Sequence, residues 1–222
     1  MNYIEVFENT KQKILNAGGE IIREDINLPL DSFDESKYYE TEFGLKLTKD
    51  LFDFYSKMDG LDFEWQLTTD KSTLNGFACI QDIMTLAENI TENNLWADWY
   101  EKEDIAEIKK HYIFEKIIGS DNYITIKYNE DFTYKLFYVP EGSVNFGGSK
   151  KLPELPLTIE EYFLVLNSCY FSFDIRHHLH KQEFYANPTG VVPKLKELAS
   201  VFGDIELPEL QTNANNRSYE KH

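Results

Sequence analysis

The plainest pattern in the chain is the run from Leu61 to Leu67, where Leu61, Phe63, Trp65 and Leu67 alternate with Asp62, Glu64 and Gln66. A two-residue period is that of a strand with one face buried, and here the outward face carries acids. Gly76 to Ile80 predicts a second strand. Ile83, Leu86, Ala87 and Ile90 then follow helical spacing behind Asp82, a capping residue. Upstream, Asn2 caps a helix whose stripe is Tyr3, Phe7, Thr10, Ile14 and Ala17 and which Gly18-Gly19 stops. Its narrow apolar face predicts a surface helix. Thr48 begins another helix, with Leu47 and Phe52 at staple positions, Leu51, Tyr55 and Met58 as its stripe, and Asp59-Gly60 at its end. Between these helices, Glu20 to Asp34 and the polar, aromatic stretch Ser36 to Thr41 predict strand and loop.

Beyond Thr91 the pattern changes. Residues Thr91 to Lys110 are polar and acidic around Trp96, Trp99 and Tyr100, which predicts a loop and a half-exposed helix. Ile113 to Ile118 predicts a strand. Tyr123 to Tyr128 and Phe132 to Val139 predict a hairpin, Ser143 to Phe146 adds a short edge strand, and Pro153 to Pro156 leads out of the sheet. Thr158 and Glu161 have capping-box spacing, Leu157 and Tyr162 form a staple, and Ile159, Phe163, Leu166 and Tyr170 face the core. Pro193 opens a last helix with Leu195, Leu198, Ala199 and Phe202 inward and Gly203 past its end. The elements together predict one α+β domain over residues 1–207, followed by a polar, disordered tail over 208–222.

Charge narrows the function. With 22 Lys+Arg against 39 Asp+Glu the formal charge is −17, and no cluster of basic residues is available to track phosphates, which argues against direct nucleic-acid binding. At 42% hydrophobic and 15% aromatic residues the chain has the material for a core. Cys79 and Cys169 are far apart without CxxC spacing, the N-terminal residues lack a leader pattern, and no apolar run is long enough to cross a membrane, so a soluble cytoplasmic protein is expected. Acidity of this size serves solubility or attracts a basic protein partner.

The segment Glu42-Phe43-Gly44-Leu45-Lys46-Leu47-Thr48-Lys49-Asp50-Leu51-Phe52-Asp53-Phe54-Tyr55, followed by Met58-Asp59-Gly60, resembles the signature of the SUKH superfamily, in particular its Smi/Knr-type domain. Thr48 stands where the family has Pro, and Asp59 where it has Asn. Ile117-Ile118-Gly119-Ser120-Asp121-Asn122-Tyr123 is similar to the family's Gly-Asn-Tyr region, with its glycine run reduced to Gly119. Leu157-Thr158-Ile159-Glu160-Glu161-Tyr162-Phe163 resembles its closing helix. The matches come in family order over roughly 42–170. The resemblance implies an α+β domain in which an antiparallel β-sheet is flanked by helices, and a non-catalytic protein-binding role: bacterial members are commonly immunity proteins that bind and neutralise polymorphic toxins, often nucleases, and fungal relatives are signalling scaffolds. An acidic domain is suited to capturing a basic toxin.

Other chemistry is weaker. His177 and His180 are three apart, but with only His111 and His222 besides their neighbour His178, and no cysteine near, they fall short of a zinc set, and neither metal nor cofactor is expected. Cys169 lies on an apolar stretch and is expected to be a small buried hydrophobe. Paired acids from Asp62, Glu64, Glu101, Glu103 and Asp104 could serve a carbohydrate-active enzyme, but no phosphate loop, GxSxG or HExxH accompanies them, and the enzyme class is disfavoured. Trp96, Trp99 and Tyr100 among Asp98, Glu101, Glu103 and Asp104 form the first candidate partner surface, rigid rings amid carboxylates, with the outward Asp62 and Glu64 as the second. The competing reading places both tryptophans against the sheet.

Overall fold

The structure, a computed structural model, describes residues 1–27, 29, 33–91, 110–119, 122–130, 133–140 and 152–210. Helix α1 (Tyr3–Asn16) begins where the Asn2 side chain accepts the Glu5 N–H, and it buries Tyr3, Phe7, Thr10 and Ile14. Among the described residues seven strands follow in a single antiparallel sheet whose spatial order is the chain order. They are β1 (Glu20–Asn27), β2 (Asp59–Thr68), β3 (Thr73–Ile80), β4 (His111–Ile117), β5 (Asn122–Tyr128), β6 (Tyr134–Val139) and β7 (Glu154–Leu155). Helices α2 (Phe33–Phe43) and α3 (Lys49–Tyr55) lie between β1 and β2, and α4 (Ile83–Thr91) follows β3. After β7 come α5 (Ile159–Ser168), a 3-10 segment (Phe173–His178), α6 (Gln182–Ala186), α7 (Pro188–Val191) and α8 (Pro193–Phe202). The protein is thus an α+β domain around one sheet.

One face of that sheet takes the helices. Phe7 of α1 meets Phe63 of β2 edge to face at 4.8 Å, Phe54 of α3 meets Phe114 of β4 at 5.7 Å, and Tyr3 bridges Phe54 and Phe163 at 4.9 and 5.5 Å. Such edge-to-face pairs add to the burial of the rings. Helix α5 is buried nearly all round, and its capping box is complete: Thr158 Oγ1 accepts the Glu161 N–H while the Glu161 carboxylate accepts the Thr158 N–H. Asp82 caps α4 through the Thr85 N–H at 2.7 Å, and Asp59 accepts the Ile83 N–H at 2.7 Å. Gly60, with φ +88, is in the left-handed region, and a Cβ there would stand 2.9 Å from the Asp82 nitrogen.

The sheet divides in its middle. Among the described residues β3 and β4 pair at Ile80 and Glu115, with the Gln81 N–H given to the Phe114 carbonyl at 2.8 Å just past it, and Phe77 within β3 is met by another part of the chain. Phe77 donates its N–H to the Phe171 carbonyl at 2.9 Å, and its carbonyl accepts from Arg176 Nη2 at 2.7 Å. To arrive there the chain turns through Tyr170 and Phe171 at φ 52 and 56, strained values of about 1–3 kcal/mol each. The Tyr170 carbonyl takes the Trp65 Nε1–H at 2.9 Å, and a Cβ on Gly76 would lie 2.3 Å from that same carbonyl oxygen. Gly76 therefore admits a backbone that no side chain would.

Arg176 closes the division. Fully buried, it pairs with Glu115 of β4 through Nη2–Oε1 at 2.6 Å and Nε–Oε2 at 3.1 Å, and gives Nη1 to the Ser172 carbonyl at 2.9 Å. The Tyr162 hydroxyl also donates to Glu115. Burial works against the guanidinium charge, but Glu115 more than offsets it and holds Arg176 above its ordinary value.

Two expectations need correction, and a third holds in position but not in its hydrogen bond. The stretch Ser36 to Thr41 lies within helix α2 and is not a loop; among its described side chains Tyr39 is buried and Tyr38 is exposed, so little apolar stripe marks it. Pro153 to Pro156 contains the edge strand β7 and does not lead straight out, while the predicted Ser143 to Phe146 strand lies outside the described residues. Thr48 takes the N-cap position of α3 without a side-chain cap bond, since its hydroxyl donates to Asp50, which itself accepts the Leu51 N–H.

Candidate interaction surface

Turned away from the helices, the second face of the sheet differs from one half to the other. In β4 to β6 it is buried: Ile113, Thr125 and Phe137 are cross-strand neighbours, His111 Nδ1 lies 2.8 Å from Thr125 Oγ1, and Val139 is 2% exposed. In β1 to β3 it is open. There the register puts Asp25 beside Asp62, Arg23 beside Glu64, Asp62 beside Cys79 and Glu64 beside Phe77. Asp62 and Glu64 thus stand where the alternation predicts, with Leu61, Phe63, Trp65 and Leu67 buried behind them.

Arg23, on the bulged edge strand, serves both acids, with Nε 2.8 Å from Asp62 Oδ1 and Nη2 3.4 Å from Glu64 Oε2. Burial raises the Asp62 carboxyl above its ordinary value; Arg23 pulls it down, and Asp25 and Glu64 push it up again. One guanidinium thus serves two carboxylates, with a third, Asp25, across the strand from Asp62. Cys79 is half-buried and its thiol is pushed up, first by burial and then by Asp62 and Glu115, so at neutral pH it is a protonated thiol rather than a nucleophile. The rim is aromatic: Phe77 and Phe173 lie 5.4 Å apart, Phe173 is exposed, and the Arg176 guanidinium sits 4.9 Å from the Phe77 ring centre. Partly desolvated acids beside rings can hold a guanidinium or ammonium from a partner.

The first candidate surface, Trp96, Asp98, Trp99, Tyr100, Glu101, Glu103 and Asp104, lies outside the described residues. Sequence reasoning found Asp62 and Glu64 but missed Arg23, Phe77 and Phe173, which only the register and the returning 3-10 segment bring beside them. Cys169 is buried, and burial pushes its thiol up to about 12. Among the described residues no group of three or more His, Cys, Asp or Glu is arranged to hold a metal ion. His177 and His178 end the 3-10 segment, where a helix dipole would favour their charged forms, yet burial and Lys181 hold both below the ordinary imidazole value. No helix among the described residues is long and apolar enough to cross a membrane. Comparison with family models, with curated proteins and with solved structures finds no match to this chain.

Proposed function

We propose that this protein works by binding another protein, and that it is an immunity protein of the SUKH, Smi/Knr type that captures a basic toxin in the cytoplasm and blocks it without catalysis. The observation that carries the reading is the open half-face of β1 to β3, where Asp62 and Glu64 share Arg23, with Asp25 across the strand from Asp62, beside an exposed ring. A net charge of −17 adds long-range attraction for a basic partner. The motif resemblance over 42–170 supplies the toxin. Coexpression with the product of the adjacent gene tests it: the two should copurify, and growth arrest by that product alone should be relieved. Association should slow as salt rises while dissociation changes little, because steering acts on encounter. A neighbour that neither binds nor harms the cell, or an on-rate indifferent to salt, would remove the reading.

A further inference from the structure

The 3-10 segment that closes the division of the sheet ends in a cluster of imidazoles. The rings of His177 and His178 are 3.8 Å apart between centres. Lys181 Nζ lies 3.4 Å from His178 Nδ1. An ammonium can only donate, so that contact requires a bare Nδ1 and the Nε2–H tautomer. His180 Nδ1 is buried without a hydrogen-bond partner. The charged groups acting on the three rings are Lys181, which opposes a proton on each, Asp174, which favours one on His177 and His178, and Glu183, which favours one on His180. Arg176, within the same segment, is spent on Glu115.

We propose that this cluster is an acid-released latch, closed while the three imidazoles are neutral and opened when protons make it cationic. Protonating His178 turns the Lys181 contact into a meeting of two cations and sets a charged ring against His177. With all three rings charged, four cations counting Lys181 stand against Asp174 and Glu183. The segment then yields, and with it go the Phe173 ring at the rim of the open face and the hold of residues 171–176 on β3. The sign follows from the rings' titration. Burial, and then their cationic neighbours, hold all three below the ordinary 6.5, His178 at about 4. The open segment binds protons that the closed one refuses, so closure weakens as pH falls from 6.5 toward 4 and weakens no further below. The inference rests on the segment alone and not on what binds the open face.

Hydrogen exchange of the whole chain, read by mass spectrometry at pH 7 and pH 5 and corrected for intrinsic rates, tests it, with peptides over 61–67 as the internal reference. Protection over 171–181 should fall by about tenfold or more relative to the reference, since pH 5 lies well below the ordinary imidazole value and above that of the closed His178. His178→Asn keeps an acceptor at the δ position but takes no proton, and should hold most of that protection at pH 5. Proton NMR of the wild-type imidazoles gives a second measurement that needs no variant, and His178 should titrate lowest of the clustered rings. Equal loss over both peptides, or a His178 that titrates at or above the ordinary value, would overturn the latch.

Discussion

The two halves of the sheet solve the same problem differently. Strands β4 to β6 are buried on both sides, with Ile124, Ile126 and Leu136 in the main core and Ile113, Phe137 and Val139 on the other face. Strands β2 and β3 are buried on one side only and no residue of the edge strand β1 is fully buried, so the second face there is free to carry Arg23, Asp62 and Glu64. A sheet half covered on both faces can specify structure and little else, whereas a half with one open face can hold partly desolvated charge where another molecule reaches it. The join between them is built largely from polar side-chain atoms, the Glu115–Arg176 pair, because β3 and β4 pair at Ile80 and Glu115 and the strand before that point finds partners elsewhere.

Breaking the join should cost most. Arg176→Ala leaves Glu115 buried without its counter-charge and frees the Phe77 and Ser172 carbonyls, a loss of about 3–5 kcal/mol read as a fall in urea midpoint. The double change Arg176→Met, Glu115→Leu should recover much of that, since no charge is then stranded. A double variant no more stable than the single one would show that the carbonyl contacts, and not the ion pair, hold the halves together.

The same face compared across the join gives the next largest effect. Ile113→Ala in the covered half should destabilise by about 2–4 kcal/mol, while Glu64→Ala in the open half should stay within about 0.5 kcal/mol. Similar costs at both positions would erase the distinction between the halves. Gly76→Ala should fall between these limits, at about 1–3 kcal/mol, because its Cβ would meet the Tyr170 carbonyl oxygen and force the returning chain off β3. Thermal unfolding of each variant at pH 7 checks both.

What the sequence made legible follows the same division. Strand β2 was readable residue by residue, since one buried and one open face print a two-residue period, and that is why Asp62 and Glu64 were placed correctly. Strands β4 to β6 were readable as strands, but a chain buried on both faces has no period to say which side a residue takes, and the second layer of Ile113, Thr125 and Phe137 stayed hidden. Helix α2 was missed because its residues make almost no apolar stripe. Arg176 and Glu115 are 61 positions apart, and no local pattern pairs them. Gly76 stands at the start of the predicted strand, whereas β3 begins at Thr73, so a glycine inside a strand, the mark of another backbone's close approach, was not legible as one.

The smallest expected effect on stability is also the sharpest probe of the open face. Asp62 is partly buried among Asp25 and Glu64, and its carboxyl is raised above the ordinary 3.8, burial first and those acids after it, with Arg23 working the other way. In the pH range just above 3.8 the folded chain holds a proton on Asp62 that the unfolded chain has released, so this group's contribution to stability falls as pH rises through that range. At neutral pH the charge therefore weakens the fold slightly, and Asp62→Asn should leave stability unchanged or raise it by no more than about 0.5 kcal/mol, given a half-exposed site. If the face captures a basic partner, the same variant should associate more slowly, and Asp62→Asn with Glu64→Gln more slowly still, with melting temperatures at or above wild type. A residue kept at a small cost to stability and a gain to binding is the mark of a working surface. Should the double variant melt lower and bind at the wild-type rate, Arg23 and its acids are a clasp on the edge strand, and the partner is met elsewhere.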